Sequence, residues 1–110
     1  MYPISDESKI NYQQTGQVKG GRLLGPENGC TQGFFMGIAY YDAIEFPEPG
    51  VHEDQESFYV LEGSGYVKLE ENIYPIGIGT AFIASPKVAH SIKKAPDSPP
   101  VKVLWCHGAP

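Results

Sequence analysis

The sequence predicts an all-β, single-domain fold, a sandwich or barrel of short antiparallel strands, and three observations carry that prediction. A chain of 110 residues has room for one core only, because two would each fall below the size that folds comfortably alone. Its 13 glycines and 10 prolines exceed average usage while hydrophobic residues stay at 41%, so the chain is turn-rich but not disordered. No window carries a capped apolar pattern of helical period, whereas β-branched and aromatic runs recur between Gly, Pro and Asn punctuation.

The elements follow in order. Residues 1–14 read as a loose or dimer-exchanged N-terminal segment. From Phe34, the set Phe34, Met36, Ile38 and Tyr40 alternates with Phe35, Gly37, Ala39 and Tyr41, and the run continues through Ile44 and Phe46. This is one long strand, bent at Gly37 or Asp42 and stopped by Pro47-Glu48-Pro49-Gly50. Residues 57–61 and 66–69 form a hairpin across Glu62-Gly63-Ser64-Gly65, whose glycines supply positive φ. Glu70-Glu71-Asn72 turns the chain into a strand over 73–76, and Gly77-Ile78-Gly79 turns it again. Strands over 80–83, 88–92 and 101–106 complete the set, with the rigid loop Ala95-Pro96-Asp97-Ser98-Pro99-Pro100 before the last.

Charge narrows the partners. The net charge is -5, and no Lys or Arg lies between Arg22 and Lys68, a stretch that holds Glu27, Asp42, Glu45, Glu48, Glu53, Asp54, Glu56 and Glu62. Such a field repels a phosphate backbone and attracts cations, which excludes nucleic acid as the expected partner. Cys30 and Cys106 form no CxxC and no dense framework, so a reduced, cytoplasmic setting is expected. The start, Met1-Tyr2-Pro3-Ile4-Ser5-Asp6-Glu7, lacks a basic and apolar leader, and no apolar run approaches membrane-spanning length.

Metal-ligand residue types concentrate in two places, Gly50 to Glu56 and Gly79 to His90. The stretch Pro49-Gly50-Val51-His52, followed by Glu56-Ser57-Phe58-Tyr59-Val60-Leu61-Glu62-Gly63, is similar to the first motif of the cupin family. There a His-x-His pair is followed by a Glu and then a Gly, and His52, Glu56 and Gly63 fit the second His, the Glu and the Gly. Gly79 and His90 match the first Gly and the His of the second motif, while Ser85, Lys87 and Lys94 replace its Pro, Gly and Asn. Gly50 stands where the first His of the pair is usual.

The resemblance implies a cupin-like double-stranded β-helix, or jelly-roll barrel, with a metal site of His52, Glu56 and His90. Two imidazoles and a carboxylate suit one divalent transition metal, Fe, Mn, Ni, Zn or Co, and do not choose among them. A polar trio that merely hydrogen-bonds within itself is the alternative. Phe58 and Val60 share Glu56's face by period two, so an unpartnered carboxylate there is costly and a cation relieves the cost.

Other residues have two readings each. His107, on the last strand, either replaces the ligand missing at Gly50 or is solvated. Cys106 and Cys30 read as small buried hydrophobes, and Glu53 and Asp54 as a solvated loop. Lys87 and Lys94 flank His90 and either hold a substrate carboxylate or are exposed loop lysines. Tyr40, Met36, Phe82 and Trp105 line a small-molecule pocket or the core.

Two functions fit. One is a small metalloenzyme acting on an organic molecule with oxygen donors, of dioxygenase, isomerase or lyase class. The other is a non-catalytic small-molecule-binding or sensor barrel with a structural metal or none. The resemblance and the unprotected edges of a small barrel also imply a homodimer.

Overall fold

The computed structural model describes residues 2–109 and contains two antiparallel sheets packed face to face. The strands are β1 (Gln13–Thr15), β2 (Val18–Leu24), β3 (Phe35–Tyr41), β4 (Gln55–Glu62), β5 (Gly65–Leu69), β6 (Asn72–Ile76), β7 (Ala81–Ala84), β8 (His90–Lys94) and β9 (Val101–Gly108). The larger sheet runs β1-β2-β3-β9-β4-β7 and the smaller β6-β5-β8. Helical structure among the described residues is limited to two 3₁₀ turns, Glu7–Lys9 and Pro26–Asn28.

Period-two alternation builds the interior. On β4, Glu56, Phe58 and Val60 are buried while Gln55, Ser57 and Tyr59 are exposed. Strand register lines the inward residues into rows across the large sheet: Phe35, His107, Glu56 and Ala84, then Gly37, Trp105, Phe58 and Phe82, then Ala39, Val103 and Val60. The second and third rows pack against Val67, Ile76 and Ile92 of the small sheet to make the core. The first row lies at one end of it and carries the polar residues.

Gly37 is required by this packing. A Cβ there would overlap the Trp105 indole and the Gly21 carbonyl oxygen. Gly37→Ala is therefore expected to cost about 1–3 kcal/mol through overpacking. Gly77→Ala, whose Cβ meets nothing within 4 Å, is the control. Thermal melts of the two variants check this, and equal melting temperatures would refute it.

The sequence reading differs from the structure at four places. Strands β1 and β2 precede the first expected strand, because Gly20 and Gly21 dilute the β signal of 18–24. Gly21 earns its place by packing, since Ile10 lies directly against it. Residues 7–12, expected to be loose or exchanged, lie on the chain's own large sheet: Glu7 pairs with Lys102, and Tyr12 meets Tyr40 edge-on at 5.8 Å. The long strand from Phe34 stops at Tyr41 and does not reach Phe46: the Asp42 N–H still bonds the Gln17 carbonyl in register with β2, but the next carbonyl, of Ala43, accepts from the Lys94 N–H of the small sheet. The strand expected over 88–92 is shifted to His90–Lys94.

Candidate metal centre

His52 lies in the segment before β4, yet that segment is fastened on both sides. Gly50 and His90 exchange backbone hydrogen bonds at 2.9 and 3.0 Å, and the Lys87 N–H donates to the His52 carbonyl at 2.8 Å. Glu56 points inward from the start of β4, and its register partner on β9 is His107. His90 opens β8. All 3 histidines of the chain thus meet at one carboxylate.

The distances are short. Nε2 of His52 and of His90 lie 3.0 and 3.5 Å from Glu56 Oε1, and Nε2 of His107 lies 3.3 Å from Glu56 Oε2. The rings of His90 and His107 each lie 4.9 Å from that of His52. Glu56 is only 7% exposed, so solvent does little to relieve its charge.

The Nδ1 atoms settle the tautomers. His90 Nδ1 faces the Val88 carbonyl at 3.1 Å, His107 Nδ1 faces Asp54 Oδ2 at 2.9 Å, and His52 Nδ1 faces the Asp54 backbone carbonyl at 3.1 Å and Asp54 Oδ1 at 2.7 Å. Each of these partners only accepts, so each Nδ1 carries the hydrogen and donates. Neutral rings then aim three Nε2 lone pairs at a carboxylate that also only accepts. Positive charge must sit between them, as protons or as a cation.

The titration of His90 agrees. Burial of its ring disfavours the charged form, but the hydrogen bond to Glu56, the Val88 carbonyl and the Glu56 charge outweigh it and hold the pKa above the ordinary value. Asp54 moves the other way: partial burial pushes its carboxyl up, and the hydrogen bond and charge of His107, with those of His52, bring it below its ordinary value.

This donor set fits a metal. Around an ion with bonds of about 2.1 Å, neighbouring ligand atoms lie about 3.0 Å apart at right angles and about 3.4 Å apart in a tetrahedron. The 3.0 and 3.5 Å contacts of His52 and His90 with Glu56 Oε1 span that interval. The ligand atoms of this trio all lie within 4.8 Å of one another. Nδ1 partners of this kind fix ring orientation in metal sites.

The expected trio His52, Glu56 and His90 is therefore brought together. Two further residues join it: Asp54, assigned to a solvated loop, contacts two imidazoles, and His107, read either as a replacement for the missing ligand or as solvated, is turned inward at 16% side-chain exposure. Period two offered a signal for His107, since it shares a face with Trp105 and Val103. Its pairing with Glu56 is a long-range register that no local pattern encodes.

The remaining candidates lie elsewhere. Lys87 is exposed, and Lys94 is held by Asp42 at 3.4 Å and by the Ser98 carbonyl at 2.9 Å. Cys106 pairs in register with the outward-facing Ser57, and neither cysteine is in a disulfide. Phe82 and Trp105 pack on the core, whereas Tyr40 lies on the outer face beneath Tyr12 and Lys102.

Beside Gly50 and His90 opens a cavity of about 560 Å³, also walled by Val18, Tyr41, Pro47 and Ile92. Its size suits a small organic molecule. Burial, and then the Glu56 charge, push the Tyr41 phenol well above its ordinary pKa, so it remains a neutral hydroxyl.

Lys87 occupies the position at which the second motif expects glycine, and it adopts that glycine's left-handed conformation, φ 68°. Relief of this conformation, about 1–2 kcal/mol, exceeds the entropy that glycine loses. Its 3.9 Å contact with Glu53 is exposed and adds little. Lys87→Gly is expected to raise the melting temperature by a few degrees, and a lowered one would refute this.

Comparison with known proteins agrees with the geometry. Residues 42–107 match the sequence model of the family described as "Cupin domain". No curated protein matches the chain. Among solved structures, a predicted oxalate decarboxylase from Thermotoga maritima superposes with a TM-score of 0.82 at 17% identity, covering 97% of this chain and 99% of the other. The polyketide cyclase RemF from Streptomyces resistomycificus gives 0.79 at 17% identity, with 97% and 80% covered. Ectoine synthase from P. lautus gives 0.80 at 18% identity, with 97% and 78% covered. At these identities the likeness is one of fold.

Proposed function

We propose a function from one premise: this chain belongs to the cupin family. It binds one divalent transition metal through His52, Glu56 and His90, and it acts as a small metalloenzyme on an organic molecule with oxygen-donor groups. One observation carries this reading. The Nε2 atoms of His52 and His90 and the Glu56 carboxylate converge within 4.8 Å, with each Nδ1 already committed to an acceptor.

When bound, the ion supplies Lewis-acid or redox chemistry to a substrate oxygen. The chain's own residues do the rest. Three ligands leave positions free, and the absent side chain at Gly50 leaves His90 facing the 560 Å³ cavity. Val18, Pro47 and Ile92 give that cavity apolar walls, while the Tyr41 hydroxyl keeps its proton for donation. The similar folds include proteins named as a decarboxylase, a cyclase and a synthase, which supports an enzyme without choosing the reaction.

The reading includes a homodimer in the cytoplasm. Tyr59 and Ile83 remain 46% and 48% exposed on the outer face of the large sheet, apolar surface that a second copy would cover. Among the described residues, no helix is long and apolar enough to cross a membrane.

Elemental analysis of untagged protein, grown with Fe, Mn, Ni, Co and Zn supplied in turn, tests the reading. About one equivalent of at least one metal is expected. Protein that is metal-free under every condition would contradict it.

A further inference from the structure

We propose that His107 is a fourth protein ligand to this metal, supplying from β9 the imidazole that Gly50 cannot, and that Asp54 is the residue that positions it. The inference rests on the metal reading above and adds to it the composition of the site.

Four observations carry it. His107 stands opposite Glu56 in strand register and brings its Nε2 to 3.3 Å from Glu56 Oε2. Its Nδ1 donates to Asp54 Oδ2 at 2.9 Å, which leaves the Nε2 lone pair free for an ion. The ring has little freedom: it stacks on Phe35 at 4.3 Å with planes 5° apart, and Trp105 meets it edge-on at 5.4 Å. Finally, Asp54 holds both imidazoles at once, with Oδ1 on His52 at 2.7 Å and Oδ2 on His107 at 2.9 Å. A carboxylate shared in this way fixes the tautomer and the relative orientation of the two rings.

The exchange has a consequence for access. A Cβ at Gly50 would lie 3.4 Å from His90 Nε2, in ordinary contact, so a side chain there would stand beside the cluster on the cavity side. Taking the imidazole from β9 instead places it among Phe35 and Trp105, away from the 560 Å³ cavity. A substrate oxygen would then approach the site from the side of Gly50 and His90, where the cavity opens.

Long-range ¹H–¹⁵N spectra of the histidine side chains, recorded during a zinc titration of metal-free protein, report each ring separately. Nε2 of His52, His90 and His107 are all expected to shift to metal-bound positions with one equivalent. Shifts of His52 and His90 with His107 unmoved would overturn the inference and leave the metal reading standing; no shift at all would sink both. Asp54→Asn is expected to weaken zinc about 10–100-fold and to redistribute the His107 tautomers in the metal-free spectrum, with partial rescue in Asp54→Glu. An unchanged affinity and tautomer would overturn the positioning role, as would a second zinc equivalent bound on the Nδ1 side.

Discussion

His90→Ala is expected to lose the metal, with affinity falling by more than about 100-fold, beyond what removal of an orienting partner costs. His90 offers one of the two Nε2 atoms nearest Glu56 Oε1, and no other nitrogen ligand lies on its side of the cluster, because its backbone partner there is Gly50. The loss has a thermal readout. A ligand present at 1,000 times its Kd stabilises a fold by about 4 kcal/mol, worth roughly 4 °C or more per kcal/mol in a domain of this size. Wild type should therefore melt markedly lower in chelator than in excess metal, and His90→Ala, at 100-fold weaker affinity, should keep at most about 1.4 kcal/mol of that gain. A His90→Ala protein that keeps the full wild-type gain on metal addition would show the ion to lie elsewhere.

Phe58→Ala is the second large effect, expected to cost about 3–5 kcal/mol. Phe58 is 2% exposed and stacks on Phe82 at 4.7 Å. It also stands between Glu56 and Val60 on β4, with the His90 ring 5.9 Å away, so the cavity left behind opens directly beneath the polar row. Denaturant unfolding should give a lower midpoint with little change in slope, and Phe58→Leu should recover most of the loss. A cost below about 1 kcal/mol would mean that this row does not support the site.

Much of the barrel was legible because its signals are local. The alternation through Ser57–Leu61 gives the face of Glu56, and Gly63 is needed where the structure uses it: its φ is 81°, and a Cβ would fall 2.7 Å from the Pro100 carbonyl oxygen. The trio His52, Glu56 and His90 could be gathered from the two motifs, which bring their own spacing. The rest depended on pairings that span the chain. Strand β2 carries Gly21 because Ile10 packs on it, a contact invisible to propensity. His107 meets Glu56 only through the β4–β9 register, and Asp54 looks like solvated loop until both imidazoles are in place.

Crystals of the metal-loaded protein, measured at the absorption edge of the bound metal, test the central claim most directly. The account predicts a single anomalous peak about 2.0–2.3 Å from Nε2 of His52, Nε2 of His90 and a Glu56 carboxylate oxygen. A peak at any other place, or none in crystals of loaded protein, would contradict it.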